Sequence, residues 1–125
     1  PIETISIPDI KGNKANYIYS KTYTGNGKIY GDFNVPGYVS NPPDYVNDKS
    51  MQTFEIDVYN KTVKKMNFDG TTGWSCSQCK AGDYMVFGMA STQGTGYYLY
   101  NYKEDKYEPL KIKTEGNPFK IQYLK

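Results

Sequence analysis

Apolar side chains in this chain recur at every second residue, and helical spacing is hard to find. Phe54, Ile56 and Val58 fall on one side of an extended run, with Thr53, Glu55 and Asp57 on the other. Leu110 and Ile112 alternate with Lys111 and Lys113, and Phe119, Ile121 and Tyr123 with Lys120 and Gln122. A period of two marks strands, whose successive side chains point to opposite faces. Residues 17–23, Tyr-Ile-Tyr-Ser-Lys-Thr-Tyr, are aromatic and β-branched types that suit a pleated surface. The pattern predicts strands near 2–7, 15–23, 28–35, 52–59, 62–68, 83–90, 96–103, 106–113 and 119–124. Asn26-Gly27 between two such runs is a strong hairpin signal, because both residues tolerate positive φ. Asp69-Gly70, Gly94 with Gly96, the Lys103–Lys106 stretch and Gly116-Asn117-Pro118 mark further reversals. Residues 36–51 hold Pro36, Pro42 and Pro43, which forbid a central strand. A loop this long is often functional. The expected class is all-β: a single antiparallel β-sandwich or small OB-like barrel of about 8–9 short strands. Residues 1–125 read as one domain, with 1–13 a strand-like N-terminal arm.

The core must be aromatic. Hydrophobic residues are 38% of the 125 and mean hydropathy is -0.73, so aliphatic side chains alone are too few. There are 14 Tyr and 5 Phe. An aromatic side chain buries on the order of 150–250 Å², which makes up the deficit if buried hydroxyls find partners.

Two absences narrow the chemistry. The chain has no histidine, so neither a Ser-His-Asp relay nor a His-ligated metal can be built. It has no arginine either, so phosphate and carboxylate could be met only by lysine. The 15 lysines against 13 acids are dispersed, without the basic footprint of a nucleic-acid binder. No apolar run is long enough to span a membrane. Composition, a first residue Pro1, and the sequon Asn60-Lys61-Thr62 favour a secreted, extracellular or cell-surface protein whose signal peptide has been removed and which is glycosylated at Asn60.

Cys76 and Cys79 stand in a Cys-x-x-Cys spacing. A redox centre would need a helix start, zinc would need further ligands, and haem attachment would need His where Lys80 stands. The expectation is a local disulfide, or two buried thiols, in a loop before a strand. No metal or other cofactor is expected. On a strand, Tyr98, Tyr100 and Tyr102 share one face, and three such rings could form a stacking platform. The same holds for Tyr17, Tyr19 and Tyr23, and two stripes exceed what one thin core needs. Carboxylate pairs could run glycoside hydrolysis without histidine, the candidates being Asp44 with Asp48 and Glu55 with Asp57. Asp44, Asn47 and Asp48 offer hard oxygens to calcium, but their spacing matches no EF-hand. Ile2, Ile5 and Ile7 lie in a segment bracketed by Pro1 and Pro8, which could add as a strand to a neighbouring sheet edge.

The run from Cys76 to Gly88, with Ala81-Gly82-Asp83-Tyr84-Met85-Val86, resembles the netrin-like modules of the metalloproteinase-inhibitor type. These carry a Cys shortly before a Gly-x-x-Tyr-Leu-Val strand of an OB-type barrel. The same residues look like strands of secreted immunoglobulin-like sandwiches. The resemblance implies an extracellular binding module. It does not extend to protease inhibition, because Pro1 stands where those inhibitors have a cysteine, and their other disulfides have no counterpart.

The leading expectation is a non-enzymatic extracellular structural subunit that self-associates into filaments. Its contacts would be Ile2, Ile5 and Ile7 as a docking strand, with Tyr98, Tyr100 and Tyr102 at the interface. The alternative is a soluble binding module, netrin-like or carbohydrate-binding, that uses the tyrosines and the 36–51 loop. An acid-pair hydrolase is third. The partners would be copies of itself, or a protein or glycan ligand.

Overall fold

The computed structural model describes residues 4–7, 14–118, 120–122 and 124. Eight strands form two antiparallel sheets. The first contains β1 (Tyr17–Tyr23), β2 (Lys28–Asn34), β3 (Met51–Asp57) and β4 (Thr62–Lys65), in that order across the sheet. The second contains β5 (Cys76–Ala81), β6 (Tyr84–Ser91), β7 (Gly94–Asn101) and β8 (Lys106–Lys113), again in chain order. Two separate meanders packed face to face make a sandwich, which decides against the barrel. A single 3₁₀ turn, Pro36–Tyr38, opens the long connection between β2 and β3.

Several sequence expectations need correcting. Residues 4–7 and the described part of 119–124 are not strands. Residues 76–81, expected as a loop before a strand, form the edge strand β5. Ser, Gln and Lys carry little strand propensity. The ladder from Cys76↔Met89 to Ala81↔Tyr84 overrides it. The reversal marked by Gly94 and Gly96 is present at Thr92–Gln93, and the two glycines themselves lie at the start of β7. Gly96 is needed there because a β-carbon would meet the Ile112 carbonyl at 2.0 Å.

The aromatic core is present, and tyrosine fills it from both sides. Tyr30 of the first sheet meets Met85, Phe87, Met89, Tyr98 and Tyr100 of the second, with Met66 and Phe68 from the β4–β5 connection. Rings meet edge-on or tilted, as in Phe68 with Tyr98 at 5.8 Å and Tyr30 with Phe87 at 6.2 Å. Each such pair adds roughly 0.5–1.5 kcal/mol beyond area burial. The hydroxyls are satisfied as well. Tyr98 donates to the Gly94 carbonyl at 2.6 Å, Tyr100 to Asp105 at 2.7 Å and Tyr30 to Glu55 at 2.6 Å.

The rest of the inner face of the first sheet is polar. Asp32 is buried there, facing the second sheet. Its carboxylate accepts from Ser20 of β1 at 2.8 Å, Thr53 of β3 at 2.6 Å and Gln78 of β5 at 2.8 Å. Burial raises the Asp32 pKa above the usual aspartate value, while these donors oppose the rise. The outer face of the same sheet holds a smaller apolar cluster of Phe33, Val35 and Phe54, against which Ile7, Ile56 and Val63 pack.

Asp32→Ala should cost about 2–4 kcal/mol in urea unfolding, because it strands buried donors from three strands. The pH dependence has a definite sign. A raised folded pKa means that this carboxyl favours folding most below its unfolded value, about 3.9, and loses that contribution as pH rises through the folded value. The stability of the native chain relative to Asp32→Asn should therefore grow as pH falls toward about 4. A gap that shrinks on acidification would show the opposite coupling.

Candidate functional site

The turn before β5 carries the chain's only tryptophan. Its flanks are fixed. Thr71 pairs with Met51 through both backbone hydrogen bonds, at 3.0 and 2.9 Å. Its hydroxyl donates to the Ser75 carbonyl at 2.6 Å and accepts from the Ala90 amide at 2.8 Å. The Ser75 hydroxyl donates to the Pro118 carbonyl at 2.9 Å. Thr71, Thr72 and Ser75 are buried, yet Trp74 between them is 59% exposed. This exposure is imposed by a rigid turn.

Trp74 faces a cleft of about 700 Å³ that also draws on β1 and on the β2–β3 connection. Tyr17 and Tyr19, 52% and 60% exposed, contribute from β1. A register shift between Ile18 and Ser20 breaks the alternation at Tyr19, so both tyrosines reach the cleft. Tyr45, 73% exposed, contributes from the long connection. Polar groups stand among the rings. Asn34 donates to the Asn16 side chain at 2.8 Å, which leaves an amide N–H and a carbonyl of the pair for a ligand. Among the described residues, none hydrogen-bonds the Asn41 amide, the Trp74 indole N–H or the hydroxyls of Tyr17, Tyr19 and Tyr45. Among the described residues, none that lines the cleft is charged.

The carboxylates of the long connection shape it. Asp48 accepts from the Ser40 amide at 2.9 Å, the Ser40 hydroxyl at 3.1 Å and the Asp44 amide at 3.0 Å. Asp44 accepts from the amides of Val46 and Asn47 and from the Asn47 side chain at 2.9 Å. These bonds, led by Asn47 for Asp44 and by the Ser40 amide for Asp48, hold both groups below the usual aspartate pKa. A general acid needs the reverse shift. The outcome is a loop closed on itself that presents Tyr45 at its rim. No cluster of metal-ligating side chains occurs among the described residues.

Glu55 and Asp57 are also bound up, and not on an exposed face as their alternation suggested. Both turn inward, where the Lys28 ammonium lies 3.3 Å from Glu55 and 2.8 Å from Asp57. Hydrogen bonding to Lys28 and Asn60 keeps Asp57 well below the usual range.

Tyr98 and Tyr100 are core residues, 0% and 2% exposed, which corrects their expected place at an interface. A chain short of aliphatics uses the β7 stripe to fill its interior. Tyr102 is partly buried beside them and donates to the Gly82 carbonyl at 2.6 Å. Ile2 lies outside the described residues. Ile5 is half-buried, and Ile7 packs on the outer cluster of its own sheet. Asn60 is exposed in the β3–β4 turn, its amide donating to Asp57 at 2.8 Å.

The expected disulfide is not formed, and both cysteines are free. Three residues apart on β5, they point to opposite faces and stand about 10 Å apart, beyond the reach of roughly 7 Å between bridged Cα atoms. Cys76 is buried under Ser20 and Asp32, and burial raises its thiol pKa far above the usual value.

Sequence reasoning missed Trp74, Tyr45, Asn16 and Asn34. The legible signal was a lone Trp between Gly73 and Ser75, small residues typical of a turn. Comparisons with protein families, curated proteins and solved structures give no significant match. They neither support nor oppose the netrin-like resemblance of residues 76–88.

A thiol reagent should label Cys79 readily in the native protein and reach Cys76 only after unfolding. Intact mass should show two reduced thiols. Rapid labelling of both, or of neither, would contradict this arrangement.

Proposed function

We propose that this chain is a non-catalytic binding module, acting outside the cell, that holds a carbohydrate in the cleft between Trp74, Tyr45 and β1. The observation that carries the reading is Trp74, kept in solvent by a turn whose neighbours are buried and hydrogen-bonded. Exposing an indole forgoes its burial energy, on the order of 2–3 kcal/mol. Aromatic faces in water stack on the C–H faces of sugar rings, and amides such as Asn41 and the Asn16–Asn34 pair match hydroxyls, which both donate and accept. The self-bonded long connection holds Tyr45 in place before a ligand arrives, which lowers the ordering cost of binding.

A second reading, self-assembly by strand addition, draws on one observation. β1 is an edge of its sheet and exposes Tyr17, Ile18, Tyr19 and Tyr23 along its length. Ile7 packing on its own sheet weighs against its exchange into a neighbour.

Trp74→Ala and Tyr45→Ala should each lower affinity for a glycan found by array screening at least tenfold, about 1.4 kcal/mol, with the melting temperature unchanged. Wild-type affinity in either variant would remove the cleft from consideration. Light scattering tests the second reading. A monomer near 14.2 kDa is expected, and a polymer lost on Tyr19→Lys would favour strand addition instead.

A further inference from the structure

We infer that the ligand is a neutral glycan chain, one that carries hydroxyl groups and no carboxylate or sulfate. The inference rests on the carbohydrate reading of the cleft and adds the ligand's charge.

The chain carries 28 charged side chains, 15 basic and 13 acidic, and among the described residues none of them lines the cleft. The 36–51 connection, which forms one wall, carries Asp44, Asp48 and Lys49; the two carboxylates spend their oxygens on the loop's own amides, and Lys49 is not one of the residues that line the cleft. Moving a carboxylate or sulfate against aromatic faces strips its water, and neutral donors repay that cost less fully than a cation within hydrogen-bond reach. Lysine is the only cationic side chain the chain has, and among the described residues no lysine lines the site. What this described lining offers is uncharged in every part. It has four exposed rings for stacking, the free N–H and carbonyl of the Asn16–Asn34 pair, the Asn41 amide and the Trp74 indole N–H. These match hydroxyls, which donate and accept at once. The rings come from three separate segments around an opening of about 700 Å³, more room than one sugar ring needs, so several linked rings fit the site better than one.

The test is affinity electrophoresis of the full chain through gels that hold a single polysaccharide. Three gels are neutral (a mixed-linkage β-glucan, a galactomannan and a starch) and three acidic (polygalacturonate, hyaluronan and heparin). Each is run at low and at physiological ionic strength. Retardation by at least one neutral polymer, at least tenfold stronger than by any acidic one, is expected. It should persist at higher salt and vanish in Trp74→Ala. Equal or stronger retardation by an acidic polymer, lost in Trp74→Ala, would overturn the inference and leave the carbohydrate reading standing. Retardation by none of the six would overturn both. Binding of extended peptides instead, again lost in Trp74→Ala, would assign the cleft to a protein partner.

Discussion

A single buried carboxylate joins the two sheets. Among the described residues Asp32 has no cationic partner, and hydroxyls and an amide from β1, β3 and β5 supply its hydrogen bonds. A charge placed in the layer between sheets is costly unless every oxygen is satisfied. Here the satisfaction comes from both sheets, so the cost is offset only when they dock in one arrangement. Everything above that layer inherits its placement. β5 is set against β1 by Gln78 and by Lys80, which donates to the Thr24 carbonyl at 2.9 Å. The turn that leads into β5 holds Trp74. The geometry of the cleft thus descends from a hydrogen-bond cluster that touches no ligand.

The division of labour among the tyrosines follows from whether their strand lies inside a sheet or at its edge. On the second sheet, Tyr98 and Tyr100 take the place that leucine and isoleucine fill in richer cores. On the first, β1 lies at an edge, and its tyrosines stay in water. The two stripes are nearly indistinguishable in sequence, so one residue type fills the interior and also furnishes the surface where a ligand would rest.

That ambiguity explains what was legible from sequence. The expected ranges located β1 to β4 and β6 to β8, and in β7 the buried face follows the alternation. The long proline-bearing connection was recognised for its prolines, and it does form a cleft wall. β5 was not recognised, because its residues are small and polar and its strand state is imposed by pairing with β6. Which tyrosine stripe would be buried depended on sheet order, which alternation does not encode. Cys76 and Cys79 looked like a pair in sequence, but three extended residues carry them to opposite faces. Trp74 was hidden for a similar reason. The buried state of Thr71, Thr72 and Ser75, which forces the indole outward, arises from contacts with Met51, Ala90 and Pro118, all distant in sequence.

A core built from phenols also differs from an aliphatic one in what it forbids. Sliding β2 by two residues along β3 would keep Tyr30 on the inner face, and burial alone would not penalise the error. The hydroxyl would. Tyr30 lies opposite Glu55 in the β2–β3 ladder and would leave it, stranding a phenol in the core. Such a ring carries a positional check at its tip that a leucine lacks. A chain poor in aliphatics gains fewer ways of packing wrongly, and its low hydrophobic content becomes a source of fidelity.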